Sequence, residues 1–281
     1  MKLEDFKAGL DDYIVALSQH EQRPNTTDKY RRDIEAFIRY LQEHNFPEAD
    51  KNAYIKYKDY LVKIGRKNSS INSYIAAINR YFRHLDMHKC CVDSFRVQKN
   101  AGIENIIEIS EYYKLLEYLK SRKNQTTYMI VRSLASSGMR VSELSFLTVE
   151  VLKNAGKMQV TNKNKSRQVL FPDEVVEELF GYCEAKGITS GIIFFGKDPN
   201  KGLHRSAIWN RLKTAAKNAE VDMDKVFPHN LRHLFAKTYL DVNANIGDLA
   251  DILGHENINT TRIYIRKTTN ELKVKLNGMK L

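Results

Sequence analysis

Apolar residues in the first ninety positions recur every three or four places, the spacing of one buried helix face. Phe6, Leu10, Tyr13, Ile14 and Leu17 mark a first helix, and Tyr30, Ile34, Phe37, Ile38 and Leu41 a second. Pro24-Asn25-Thr26-Thr27 breaks the chain between them, with Asn25 or Thr26 suited to cap the second helix. A third helix is predicted from Ala53 to Ile64, ended by Gly65, and a fourth from Ser70 to Leu85 on Ile71, Tyr74, Ile75, Ile78 and Phe82. Four helices in this length predict a compact all-α domain over residues 1–90.

The periodicity fades over residues 91–107, which read as a linker. A helix resumes at Ser110, whose hydroxyl can cap it, although Tyr113 stands where a capping box needs Glu. Residues 108–281 are mixed. Helices are predicted over 126–137 and 142–147, flanking Gly138, and then from Glu174 to Ala185, Ser206 to Ala219, His229 to Leu240 and Ile246 to Leu253. Lys157 to Val160 and Gln168 to Phe171 read as two strands of a hairpin around the polar loop Thr161–Arg167. The pattern predicts a mainly α fold with a small β-sheet, in two domains.

Charge sharpens this picture. The formal net charge is +11, which attracts polyanions. Residues 1–100 carry 18 Lys and Arg against 14 Asp and Glu, and residues 101–281 carry 27 against 20. The excess belongs to both halves, as two DNA-facing surfaces require. Outward basic residues of the helical half (Arg31, Arg32, Lys67, Arg80 and Arg83) are candidates to track phosphates. No run reaches the roughly 18–20 apolar residues of a membrane span, and MKLEDFKAGL lacks the apolar core of a secretory signal. Three cysteines do not make a disulfide framework, and His88-Lys89-Cys90-Cys91 has no second cluster to complete a metal site. No metal or other cofactor is expected, and the expected location is cytoplasmic and nucleoid-associated.

Four segments carry candidate chemistry. Pro228 suits a first helical turn, and the i, i+3 spacing of His229 and Arg232 puts an imidazole and a cationic fork on one face. That pair can clamp a phosphodiester. In Leu253-Gly254-His255 the glycine suits a left-handed helix end. Tyr264 stands nine residues after His255, among Arg262, Arg266 and Lys267, whose charge favours a phenolate. Earlier, Gly138-Met139-Arg140-Val141-Ser142-Glu143 holds an arginine and a carboxylate just after a predicted helix. His233, Tyr239 and Trp209 read as packing residues, and His204 with Arg205 precedes a helix and is a minor DNA-contact candidate.

These four segments, in this order and at these spacings, resemble the tyrosine recombinase or phage integrase family, in its two-domain, Xer-like type. The family pattern is Arg within TGxRxSE, then His-x-x-Arg, then Leu-Gly-His, then Tyr nine residues on. The resemblance implies an N-terminal helical core-binding domain, without an arm-binding module ahead of it, joined to a catalytic domain, the two closing on DNA. It implies that Arg140 and Arg232 bind the scissile phosphate, that His255 donates a further hydrogen bond, and that His229 assists proton transfer. Tyr264 would be the nucleophile, leaving a 3′-phosphotyrosyl link and a free 5′-hydroxyl. Glu143 would support a neighbouring basic residue.

The family's hairpin loop is similar to Gly-Lys-Gly-Asn-Lys-x-Arg, and this chain reads Thr161-Asn162-Lys163-Asn164-Lys165-Ser166-Arg167. Lys163 matches the general acid, with Lys165 as the alternative. Lys165 and Arg167 are otherwise candidate DNA contacts. The implied partners are double-stranded recombination sites, accessory DNA-bending proteins and three further copies of the chain. In that tetramer the tails, with Leu272 and Leu276 at i, i+4, would be exchanged cyclically. Two relatives would share much of the pattern: a type IB topoisomerase, against which Leu-Gly-His and the short helical domain weigh, and a non-cleaving DNA-binding protein, which would lack Arg140, Arg232 or Tyr264. A basic structural or regulatory protein would make all four motifs coincidental.

Overall fold

The computed structural model describes residues 1–19, 24–97, 103, 105–162, 165–266, 273, 277 and 278, with the side chains of 25, 162 and 165 left aside. Lys163, Leu272 and Leu276 lie outside the described residues. The chain divides into two compact units, Met1–Lys99 and Asn100–Leu281.

The first unit consists of α1 (Leu3–Gln19), α2 (Pro24–Glu43), α3 (Lys51–Lys63) and α4 (Asn68–His84). Its core is aromatic: Phe6, Phe37, Tyr54, Tyr81 and Phe82 are wholly buried, and the Tyr81 hydroxyl donates to the Phe6 carbonyl at 2.5 Å. Two boundaries differ from expectation. Helix α2 already includes Pro24 to Thr27, because a first turn needs no proline N–H. Helix α3 starts earlier, since Asp50 caps it by accepting from the Ala53 N–H at 2.7 Å. Part of the expected linker is docked on this unit. Asn79 and Asn72, two turns apart on α4, each exchange two hydrogen bonds with the backbone, of Val92 and Phe95 respectively.

The second unit packs α5 (Ile109–Ser121), α6 (Gln125–Ser137), α8 (Asp173–Lys186), α9 (Arg205–Asn218) and α10 (Pro228–Asn243) around a core that includes Leu115, Ile130, Leu134, Leu179, Leu212 and Leu231. Glu108, not Ser110, caps α5: its backbone N–H donates to the Glu111 carboxylate at 2.9 Å, so the box closes earlier in the chain. Residues Val141–Phe146 form 3₁₀ turns, and a short α7 (Val149–Lys153) comes next, held by Thr148.

The hairpin is longer than its apolar pattern suggests. Strands β1 (Lys157–Asn162) and β2 (Lys165–Leu170) pair antiparallel from Lys157 opposite Leu170 to Asn162 opposite Lys165. Thus most of the expected loop Thr161–Arg167 is ladder, because cross-strand pairing tolerates polar residues on an open face. Helices α11 (Ile246–Leu253) and α12 (Ile258–Thr261) and a 3₁₀ turn (Arg262–Tyr264) complete the described unit. Ala236, Leu249 and Leu253 form a small separate cluster against which Phe235, Tyr239 and Tyr264 pack. This cluster fixes the Tyr264 ring relative to α10 and α11. Among the described residues no helix is long and apolar enough to cross a membrane, and no group of His, Cys, Asp and Glu is arranged to hold a metal.

Candidate active site

Helix α6 ends at Gly138 in the left-handed region (φ 61°), and the chain turns at once into Arg140. A Cβ at Gly138 would lie 2.4 Å from Phe235 Cδ1 and 2.9 Å from Leu253 Cδ2, so glycine lets α10 and α11 close on this turn. Glu143, 2% exposed, accepts from the Arg140 backbone N–H at 2.7 Å and from Arg140 Nη1 at 3.1 Å. The carboxylate also accepts from Arg167 Nη2 at 2.5 Å. Arg167, a candidate DNA contact by sequence, is turned inward, with Nη1 donating to the Ile252 carbonyl at 2.5 Å.

Arg232 is 1% exposed on α10. Its Nη1 donates to the Gly138 carbonyl at 2.6 Å and its Nη2 to the Leu253 carbonyl at 2.7 Å, which ties the ends of α6 and α11 together. Burial, and then the charges of Arg140 and Arg167, bring its pKa down to about 10, so it remains a cation at neutral pH. Nη2 also faces His255 Nε2 at 3.1 Å, and His255 Nδ1 lies 2.7 Å from Thr261 Oγ1. An arginine only donates, so this geometry assigns Nε2 as acceptor and places the ring proton on Nδ1, toward Thr261.

Gly254, at φ 63°, joins α11 to His255. A Cβ there would fall 2.2 Å from Arg167 Cδ. Gly254→Ala is therefore expected to displace Arg167, strain the left-handed turn and destabilise the protein by about 1–3 kcal/mol. Urea unfolding measures this, and an alanine variant as stable as wild type would contradict the packing described.

Tyr264 is half-buried, and its hydroxyl lies 3.0 Å from His233 Nδ1. Burial raises the phenol's pKa, opposed by the charges of Arg232 and Arg140, so the resting side chain is neutral, and either the hydroxyl or the imidazole can donate in its hydrogen bond with His233. His233 is thus more than the packing residue expected from sequence. Its place four residues after His229 puts both rings on one face of α10, 4.4 Å apart between centroids. That spacing was the available signal, but which ring meets Tyr264 depends on how α11 and α12 return the chain. His229 stands at the exposed rim. Partial burial, then Arg232, Arg140 and Arg205, hold its pKa below the usual range.

His233 and His255 are both brought down from 6.5 to about 4, by burial first and then by neighbouring imidazoles and guanidiniums. The unfolded chain therefore binds more protons between those values. The associated stability is complete above about pH 6.5 and is lost as pH falls through about 4, at most about 3 kcal/mol per ring. His233→Gln removes one such group. Its urea-unfolding free energy is expected to change less between pH 7 and pH 5 than that of wild type, and equal changes would mean that His233 titrates freely.

Arg140 lines two adjoining depressions. One, of about 870 Å³, is bounded by Arg167, Ile252, Gly254, His255 and Thr260. The other, of about 250 Å³, is bounded by Arg205, Trp209, Phe227 and His229. Trp209, expected to be packed, is 41% exposed, with Lys213 Nζ 4.7 Å from its ring centre. His204 caps α9, its Nδ1 accepting from the Ser206 N–H. In the first unit, Lys67 is exposed ahead of α4, and Arg32 is exposed with Nε donating to the Asp28 carbonyl. Arg31 pairs with Asp11 at 2.7 Å and Arg80 lies over the Tyr30 ring, so these two cations already have partners. Lys165 begins β2, and Lys163 lies outside the described residues.

The pattern of the phage integrase family matches residues 105–271, more than half of the chain, and that of the phage integrase N-terminal SAM-like domain matches residues 10–89. A tyrosine recombinase of Thermosipho africanus is 25% identical over 272 residues, covering 92% of this chain and 94% of its own. Tyrosine recombinase XerD of Staphylococcus aureus is 28% identical over 269 residues, covering 89% and 90%. Among solved structures, a lambda integrase dimer bound to a COC′ core site has a TM-score of 0.71 at 15% identity, over 94% of this chain and 95% of that one. XerH site-specific recombinase in a post-cleavage complex with palindromic difH substrate has a TM-score of 0.70 at 16% identity, over 89% and 78%. These structural likenesses are of fold. With both family patterns in place around the four converging motifs, the chain belongs to the phage integrase family, the tyrosine recombinases.

Proposed function

We propose that this protein is a site-specific DNA recombinase that cuts and rejoins strands through Tyr264. The observation that carries the reading is the approach of Tyr264 Oη to His233 beside the Arg232–His255 pair, groups far along the chain from Arg140. The reaction begins with in-line attack of Oη on the scissile phosphorus. The phenol proton passes to His233, a bond to phosphorus forms, and the bond from phosphorus to the 5′-oxygen breaks. A phenol becomes strongly acidic as its oxygen bonds to phosphorus, so a neutral imidazole of low proton affinity suffices as acceptor. In this reading His233 takes the proton-transfer role first expected of His229, which packs against it.

Arg140 and Arg232 offset the charge that grows on the non-bridging oxygens, with His255 beside them. Lys163 supplies the proton to the leaving 5′-oxygen, with Lys165 as the alternative donor. Attack of a 5′-hydroxyl from a partner strand reverses the sequence and frees Tyr264, by way of a Holliday junction. Each step exchanges one phosphate ester for another, so no external energy source is needed. Residues 1–90 form the helical DNA-binding domain and 108–281 the catalytic domain. A homotetramer assembled on DNA, linked by exchanged C-terminal tails, brings four such sites together, with accessory DNA-bending proteins where a site requires them.

A double-stranded substrate nicked just beyond the cut tests the reaction, because the short 5′-hydroxyl fragment diffuses away and traps the intermediate. Wild type is expected to accumulate a covalent protein–DNA adduct, whereas a non-cleaving DNA-binding relative accumulates none. Relaxation of supercoiled DNA without exchange between sites would favour the topoisomerase reading.

A further inference from the structure

We infer that Arg167 is a positioning residue for the cleavage reaction: it takes up the charge of Glu143 and locks the end of α11, leaving Arg140 free to act on the phosphate. The inference rests on the proposed function. Its starting point is the β-ladder. Arg167 stands opposite Val160 and two residues from Val169, so alternation puts it on the hairpin face that buries Met158, Val160 and Val169. A cation on a buried face needs a partner. The partner is Glu143, whose side chain is 2% exposed against 13% for Arg167.

The consequence is electrostatic. One buried carboxylate faces two guanidiniums, accepting from Arg167 Nη2 at 2.5 Å and from Arg140 Nη1 at 3.1 Å. Arg232 adds a third guanidinium nearby, and its proton affinity is lowered by burial first and then by Arg140 and Arg167. With Arg167 present, the cluster keeps a positive excess to meet the negative charge of the reacting phosphate. Without it, Glu143 pairs with Arg140 alone, neutralises that cation and draws it away from the cleft. Arg140 is 35% exposed by side chain, so it has freedom to make that shift.

Arg167 also reaches the segment that holds the other two groups. Nη1 donates to the Ile252 carbonyl, the next residue's carbonyl accepts from Arg232, and the side chain fills the space that Gly254 leaves. One side chain thus touches the hairpin, the Arg140–Glu143 turn and the Leu253-Gly254-His255 turn. It contacts neither the nucleophile nor, in this reading, the DNA.

Single-turnover cleavage of the nicked substrate, with DNA affinity measured separately, tests this in wild type, Arg167→Met, Arg167→Lys and the double variant Arg167→Met, Glu143→Gln. Arg167→Met is expected to cleave about 100-fold more slowly at saturating DNA, with affinity within about 3-fold of wild type, and Arg167→Lys to recover to within about 10-fold. Neutralising Glu143 removes the charge that Arg167 offsets, so the double variant is expected to cleave about 10-fold faster than Arg167→Met. A merely structural role predicts the opposite, a double variant no faster than the single one, and that result overturns the inference. So does an Arg167→Met rate within about 3-fold of wild type, or a loss confined to affinity, which would make Arg167 a DNA contact. Should Arg167→Met not melt cooperatively, Arg167→Gln replaces it in both the single and the double variant, with the same expected rates and the same overturning results. A wild-type protein that forms no adduct sinks the recombinase reading instead.

Discussion

Replacing Arg232 with methionine is expected to lower single-turnover cleavage by about 1000-fold or more, with DNA affinity falling less than about 10-fold. Methionine keeps an unbranched apolar stem and removes the fork. The loss has two sources that can be separated. One is chemical, since Arg232 sits against both His255 and the Tyr264 site and carries a full charge there. The other is structural: the Gly138 and Leu253 carbonyls lose their donor in a buried place, worth about 2–4 kcal/mol for the two. Arg232→Lys restores charge but cannot span both carbonyls and His255, so it is expected to regain stability ahead of rate. Urea unfolding and cleavage measured on the same two variants resolve the two contributions. Equal recovery of both by lysine would argue that Arg232 acts only through the fold.

Tyr264→Phe is expected to abolish the covalent adduct, a fall of at least about 10⁴-fold, while DNA affinity stays within a few-fold. The ring keeps its packing on Ala236, Leu249 and Leu253, so the fold survives. The lost hydroxyl leaves His233 Nδ1 without its partner, at about 1 kcal/mol. Because that variant binds without cutting, sequencing the DNA it retains identifies the recombination site.

Much of the fold was legible because burial writes itself into spacing. The first four helices come from apolar residues at i, i+3 and i+4, and much of their aromatic core from Phe6, Tyr13, Phe37 and Phe82, whereas Tyr81 joins that core unannounced by the pattern. The illegible parts lack an apolar signature. The outer hairpin pairs Thr161 with Ser166 and Asn162 with Lys165, polar residues whose ladder bonds involve only the backbone. Helix α7 has five residues, too few to display a period. At α5, a backbone-to-carboxylate bond from Glu108 overrode the hydroxyl of Ser110.

The candidate site divides in the same way. Arg140, Arg232, His255 and Tyr264 stand in a linear pattern, and the structure brings them together. Two other residues mislead when read by type alone. His233 looks like packing because it comes just after a motif arginine, yet its four-residue step from His229 puts it on the same face. Arg167 looks like a DNA contact because it is basic, yet its two-residue step from Val169 points it inward. In both cases the period of the element is a better guide than the charge of the side chain.

The most direct test of the central claim is the identity of the residue bonded to DNA. Wild-type protein trapped on the nicked substrate, digested with protease and nuclease, and read by mass spectrometry should yield one modified peptide. The predicted result is a nucleotide on Tyr264, joined through its 3′-phosphate. A nucleotide on any other residue, Tyr239 of the same cluster included, or one joined through a 5′-phosphate, would contradict it.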